Sequence, residues 1–299
     1  MSVTIPESLV AALAILADDP ETTVLAGGTD LMVEVNDGRR DPARVLVVAR
    51  LPELRGLRIE GGELVVGAAA TYTELMQEPV RSAAPALAYA SRTIGSPQIR
   101  NAGTIGGNLG TASPAGDCLP VLVALDAIVE VASAAGTRAI PIRDFCTGPK
   151  RNALQPGELI VAARVPVQRG PQDYLKVGVR NAMVIAVASL AMAVDLDART
   201  IGVGLGSVGP TPLAADDATT WLAGRVEWGA HGINATPADA AEFGRRVADA
   251  ARAIDDHRST AEYRGHAIGV LARRALQRAA RWDASGASEE AGGGDGAEP

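Results

Sequence analysis

Residues 91–124, SRTIGSPQIRNAGTIGGNLGTASPAGDCLPVLVA, constrain this chain more than any other stretch. Glycines and small hydroxyl residues crowd it, with Ile94, Ile105 and Leu109 interleaved. Glycine has no Cβ and reaches positive φ, so its backbone comes close to a ligand and several N–H groups can point at one anion. Loops that transfer phosphoryl groups carry a lysine beside the glycines, and this segment has none. A phosphate here would be held rather than moved, which points to a bound nucleotide cofactor with a diphosphate bridge.

Two other glycine patterns bear on that reading. Residues 22–25 read as a strand running into Ala26-Gly27-Gly28-Thr29-Asp30-Leu31 and a helical turn. Strand, glycine loop and helix start make an anion site of backbone N–H groups; a plain tight turn accounts for the same residues equally well. Gly204-Leu-Gly206-Ser-Val-Gly209 matches a dinucleotide-binding fingerprint after a strand, but Pro210 and Pro212 obstruct the helix that must follow. A glycine-rich strand end is the expectation there.

The length of 299 residues suits two domains. Periodicity predicts helices at 6–16, 82–92 and 117–124, a short one opening at 71–74, and strands at 44–48, 57–59, 63–66, 128–132, 138–142 and 158–165. Residues 168–172 make the linker. Strands at 174–179, 184–194 and 200–208 follow, then helices at 213–223, 237–253 and 259–281, the last with Arg273, Arg274, Arg278 and Arg281 on a solvated face. The tail 283–299 is acidic and glycine-rich and is expected to be disordered. A net charge of −7 argues against nucleic acid. Cys118 and Cys146 form no CxxC and have no histidine near them, so a metal or iron–sulfur site of this chain's own is not expected. His231, His257 and His266 lie near no nucleophile, and no acid–base catalytic residue is named. With no spanning apolar run and no leader pattern at the N-terminus, the expectation is a soluble, cytoplasmic protein.

AGGTDL at 26–31 and SPQIRNAGTIGGNLGTASPAGD at 96–117 resemble the two FAD-binding signatures of the medium subunit of molybdenum hydroxylases, the family of the bacterial xanthine dehydrogenases and the carbon monoxide dehydrogenase flavoprotein. YLKVGVR at 174–180, SVGPTP at 207–212 and RSTAEYR at 258–264 support the resemblance. It implies an α+β fold: a two-subdomain FAD-binding fold of the vanillyl-alcohol oxidase type at 1–167, divided near residue 56, and a C-terminal α+β domain of strands backed by helices at 172–282. By the same resemblance, Val24, Leu25, Ala26, Gly27, Gly28, Thr29, Asp30 and Leu31 wrap the FAD diphosphate from one side. Thr104, Ile105, Gly106, Gly107 and Asn108 wrap it from the other, and Ser113 belongs to the same signature. Asp117 matches an acidic residue at the nucleotide end, though it could simply cap a helix. Lys176 matches a lysine near the flavin, though it could be a surface lysine. Ile94 and one of Ile160 or Val161 match apolar contacts.

The function implied is an FAD-carrying electron-transfer subunit. It would take electrons from two [2Fe–2S] clusters on a small subunit, fed by a molybdopterin centre on a large subunit, and pass them to NAD⁺, a quinone or oxygen, within a dimer of heterotrimers. Thr29-Asp30 stands where carbon monoxide enzymes carry His-Ser, which favours a purine, N-heterocycle or aldehyde substrate for the complex. The rival readings are a carbon monoxide dehydrogenase medium subunit, a stand-alone FAD oxidase, and a non-redox nucleotide scaffold.

Overall fold

The computed structural model describes residues 1–230 and 232–280. His231, Arg281 and the tail at 283–299 lie outside the described residues.

The N-terminal segment forms a parallel sheet of order β1-β3-β2, from β1 (Ser2–Thr4), β2 (Thr23–Leu25) and β3 (Arg44–Val47). Strand β1 was not expected. Its three side chains are all exposed, and its order comes from backbone pairing with β3, which hydrophobic periodicity cannot register. Helix α1 (Leu9–Asp18) starts where the Ser8 hydroxyl accepts from the Ala11 N–H, and it buries Ala12 and Leu16. Helix α2 (Leu31–Asn36) follows the glycine loop after β2 and buries no residue at all.

A hairpin of β4 (Leu57–Glu60) and β5 (Glu63–Gly67) turns over Gly61 and Gly62, both at positive φ, the geometry of a tight two-residue turn. Helix α3 (Tyr72–Leu75) carries a capping box of Thr71 and Glu74. The single helix expected at 82–92 is two, α4 (Val80–Ala83) and α5 (Pro85–Arg92). Ala84 leaves helical geometry between them, and Pro85, with no N–H to donate, suits the first turn of a new helix.

The larger difference lies in the glycine-rich centre, read as open backbone but folded as α6 (Pro97–Ala102) and α7 (Ile105–Thr111). Ser96 and Thr104 act as N-caps, accepting from the N–H groups of Ile99 and Gly107. In α7 the Thr104 cap, with Ile105 and Leu109 buried, outweighs the poor helix propensity of three glycines. Helix α8 (Cys118–Ala124) is buried along its whole length.

Strands β6 (Ile128–Ser133) and β7 (Gly136–Pro141), a turn of helix α9 (Ile142–Phe145), the small hairpin β8 (Cys146–Gly148) and β9 (Arg151–Asn152), and β10 (Leu159–Pro166) complete this part. The sheet order is β4-β5-β10-β6-β7. Strand β10 is central and carries a register shift between Ile160 and Ala162 against β6.

The C-terminal part is an antiparallel sheet, β11 (Gln172–Val177), β12 (Ala188–Asp195), β13 (Thr200–Gly206) and β14 (Leu213–Ala214). Helix α10 (Asp216–Ala223), the hairpin β15 (Glu227–Gly229) and β16 (Gly232–Asn234), and helices α11 (Pro237–Ala250) and α12 (Ala261–Ala279) follow. The strands expected at 174–179 and 184–194 are trimmed, because the chain between them bends and closes through Val187 N–H to Val177 O at 2.8 Å. Alternation along β12 and β13 sorts the sheet's two faces. Leu190, Met192, Val194, Val203 and Leu205 share a core with α11 and α12, while Ala191 and Ala193 join the core around α8. On that second face the strand partners are Gly202 and Gly204, and α8 lies directly on their backbone.

Candidate functional site

A cleft of about 430 Å³ opens between the β2–α2 loop and the α6–α7 corner, with Leu159 and Ile160 of β10 also lining it. Of the residues singled out from sequence, Val24, Leu25, Ala26, Gly27, Gly28, Thr29, Asp30, Leu31, Thr104, Gly106, Gly107 and Ile160 line this cleft. Two stretches some 75 residues apart thus face each other, and glycine is the reason they can. A Cβ on Gly27 would sit 1.8 Å from the Ala102 carbonyl oxygen, so the first loop rests directly on the end of α6. A Cβ on Gly106 would sit 2.6 Å from the Ala68 carbonyl oxygen, so α7 starts hard against the end of β5. Gly107 and Gly110 play a different part. A Cβ on Gly107 would meet only the Thr104 hydroxyl, at 3.1 Å, and one on Gly110 only Ile160, at 3.8 Å. These two leave room in the cleft.

The two loops also differ in what their backbones offer. In the second, the N–H groups of Ile105, Gly106, Gly107 and Asn108 are taken by Ala70 O at 3.0 Å, Ala68 O at 2.8 Å, Thr104 Oγ1 at 3.0 Å and Thr104 O at 3.0 Å. The idea of convergent N–H donors from this stretch is corrected accordingly: its donors are spent on its own fold. In the first loop, no N–H from Gly27 to Leu31 finds a protein acceptor among the described residues. An anion in this cleft meets free donors on one side and a surface without Cβ atoms on the other.

The cleft mouth carries charge that sequence reading missed. Lys150, in the β8–β9 turn, reaches Glu34 of α2 at 2.6 Å, and Arg40 stands 4.0 Å from the same carboxylate. All three line the cleft. The hydrogen bond from Lys150 holds the Glu34 carboxyl below its ordinary range. Beside them the Thr111 hydroxyl donates to Asp30 at 3.2 Å. The available signal was scarcity, since the chain has only two lysines, Lys150 and Lys176. Tyr72 also lines the cleft; its ring stands where a Cβ on Gly103 would fall, and burial pushes its phenol well above the usual range.

Ile94, Ile105, Asn108, Ser113, Asp117, Val161 and Lys176 are not among the lining residues. Ile105 is core, Ile94 packs against that core, and Val161 packs with the cluster of Leu51, Leu54 and Ala69. Ser113 accepts from the Ala115 N–H within its own turn. The Oδ1 of Asn108 is buried with no hydrogen-bond partner, and the Asn108 side chain lies beside the Tyr72 phenol. Asp117 precedes α8 but makes no side-chain cap. It accepts from the Tyr174 hydroxyl at 2.6 Å and from Lys176 at 2.6 Å, and Lys176 also donates to Thr93 O at 3.3 Å. Burial pushes the Asp117 carboxyl up, against the pull of Lys176 and Tyr174. Lys176 is thus a buried tie between β11 and α8. Burial likewise pushes the thiols of Cys118 and Cys146 up, to about 12 and about 11, so neither is a ready thiolate.

Residues 1–168 match the family described as the FAD binding domain in molybdopterin dehydrogenase, and residues 173–279 match the CO dehydrogenase flavoprotein C-terminal domain. The nicotinate dehydrogenase FAD-subunit of Eubacterium barkeri is 38% identical over 200 residues, 64% of this chain and 68% of the relative. The glyceraldehyde dehydrogenase medium chain of Sulfolobus acidocaldarius is 32% identical over 278 residues, 92% of this chain and 96% of the relative. Among solved structures, a chain of the carbon monoxide dehydrogenase from Hydrogenophaga pseudoflava superposes with a TM-score of 0.85 at 29% identity, covering 93% of this chain and 96% of that one. No helix among the described residues is long and apolar enough to cross a membrane.

Proposed function

The chain belongs to the FAD-binding medium subunits of the molybdenum hydroxylases, and from that premise we propose that it relays electrons from iron–sulfur clusters on a partner subunit, through FAD, to NAD⁺ or another acceptor. The residues of the cleft fit the cofactor. Five consecutive free N–H groups suit a diphosphate, and Gly107 and Gly110 leave space for it. The run of unpaired donors from Gly27 to Leu31 is the observation that carries this reading. We read the β1-β3-β2 layer and the five-stranded sheet as the two subdomains of a vanillyl-alcohol-oxidase-type FAD domain, with the cleft between them.

The flavin, when bound, supplies the two-electron to one-electron redox chemistry. This chain binds and orients it. Two cysteines do not make the four-thiolate set of a [2Fe–2S] cluster, so in this reading the clusters belong to another polypeptide, as does the molybdopterin centre. A small iron–sulfur subunit and a large molybdopterin subunit are the proposed partners, and the substrate is set on the large one. Thr29 and Asp30 in the first loop favour a purine, N-heterocycle or aldehyde over carbon monoxide.

The test is the absorbance spectrum of the full chain purified after supply with FAD, followed by release of the flavin in denaturant. One FAD per chain is expected. A colourless protein, or one that retains FMN in preference, would overturn the reading.

A further inference from the structure

Helix α2 carries Glu34 and follows directly on the loop with the free N–H groups, yet it buries none of its residues. Its apolar side chains hold it only in part: Leu31 and Val35 are half-buried, and Met32 and Val33 stand exposed. What reaches it from the far side of the cleft is a short set of polar ties. Lys150 meets Glu34 at 2.6 Å, and Thr111 meets Asp30 at 3.2 Å.

The far ends of those ties are rigid. The Lys150 N–H donates to Ala112 O at 3.1 Å, and the Asn152 side chain donates to Gly110 O at 2.8 Å, which pins the β8–β9 turn to the end of α7. Lys150 itself holds a φ of +55°, a conformation costly for a residue with a side chain. The turn therefore presents its ammonium from a fixed backbone, toward a helix with no fully buried side chain.

We propose that Lys150 and Glu34 form a clasp across the cleft mouth, a positioning pair that holds the β2–α2 loop over the bound dinucleotide and sets how fast it leaves. The proposal rests on the FAD reading above. The pair acts through the loop rather than by touching the flavin. Because it is an exposed ion pair, it is weak and screened by salt. It slows release without locking the cofactor in.

The experiment follows FAD release from the full chain by the recovery of flavin fluorescence on dilution. Lys150→Ala is expected to speed release about threefold at low ionic strength, and Lys150→Arg to leave it near the wild-type rate. Salt should speed release from the wild type more than from Lys150→Ala, in which only Arg40, at 4.0 Å, still faces Glu34. The exchanged pair, Glu34→Lys with Lys150→Glu, should release FAD more slowly than either reversal alone. Lys150→Ala releasing FAD at the wild-type rate in low salt, or an exchanged pair no better than its singles, would overturn the clasp. So would a drop in the melting temperature of the FAD-free Lys150→Ala chain in step with the faster release, since the pair would then be general stability. A wild type that takes up no FAD would instead sink the reading beneath.

Discussion

Residues 103–110 and 202–209 look alike as letters, both dense in glycine, but they use glycine for opposite ends. In the first stretch, Gly107 and Gly110 face a cleft and an added Cβ would meet little. In the second, a Cβ on Gly202 or Gly204 would sit 1.9 Å from the carbonyl oxygen of Ala124 or Pro120, so these glycines let helix α8 lie flush on β13. One set makes room for something that is not protein; the other removes room so that protein can meet protein. The first stretch is itself mixed, since Gly106 packs on Ala68 in the manner of the second. Glycine content alone therefore does not mark a ligand site; the atom that a missing Cβ would have met does.

Substitutions separate the two uses. Gly204→Val should destabilise the chain most, by about 4 kcal/mol, because backbone cannot yield as a side chain can; thermal melting of the FAD-free protein reads it, and a melting temperature near wild type would break the distinction. Lys176→Met tests whether the same α8 interface also depends on its buried ion pair. Removing one partner of such a pair costs about 3 kcal/mol, and the exposure of both side chains, 9% and 8%, leaves little screening. Gly107→Leu should do the reverse of Gly204→Val. The melting temperature of the free chain stays close to wild type, while FAD affinity in equilibrium titration falls roughly a hundredfold, about 2.7 kcal/mol. Equal damage to both quantities would mean that Gly107 packs rather than makes room.

The smallest effect is a pH dependence. Lys150 holds the Glu34 carboxyl below its ordinary value of 4.5, so its contribution is complete above that value and is lost as the pH falls through the lowered one. The difference in FAD release rate between wild type and Lys150→Ala should be flat from neutrality down to pH 4.5 and close below it. A difference that persists unchanged in acid would remove Glu34 from the account.

Both cleft loops were legible because glycine density is a local property, visible at 26–31 and 103–110 without knowledge of any contact. Which donors stay free was not legible. The N–H of Gly106 is spent on Ala68 and that of Ile105 on Ala70, partners more than thirty residues upstream. The helical state of α7 was hidden for a related reason, since its glycines argue against helix while one threonine cap and two buried side chains decide for it. Lys150 was passed over because a lysine in a turn is ordinarily solvated, and only the fold brings Glu34 within reach from 116 positions away. The refusal of Gly204-Leu-Gly206-Ser-Val-Gly209 as a fingerprint needed only Pro210 and Pro212, because proline's effect on the next turn is local too.

The register shift in β10 has a consequence of its own. On either side of it Ile160 pairs with Val131 and Ala162 with Glu130, so Val161 is the residue without a partner on β6, while the Ile160 side chain faces Gly110. Deleting Val161 would tidy the ladder into an uninterrupted one, yet it would remove the carbonyl that accepts from the Ala68 N–H at 3.0 Å, the same Ala68 on whose carbonyl oxygen Gly106 rests. The irregular strand is thus the one that serves two masters, and a shorter, neater version of this chain would lose the peptide that braces Ala68 under the start of α7.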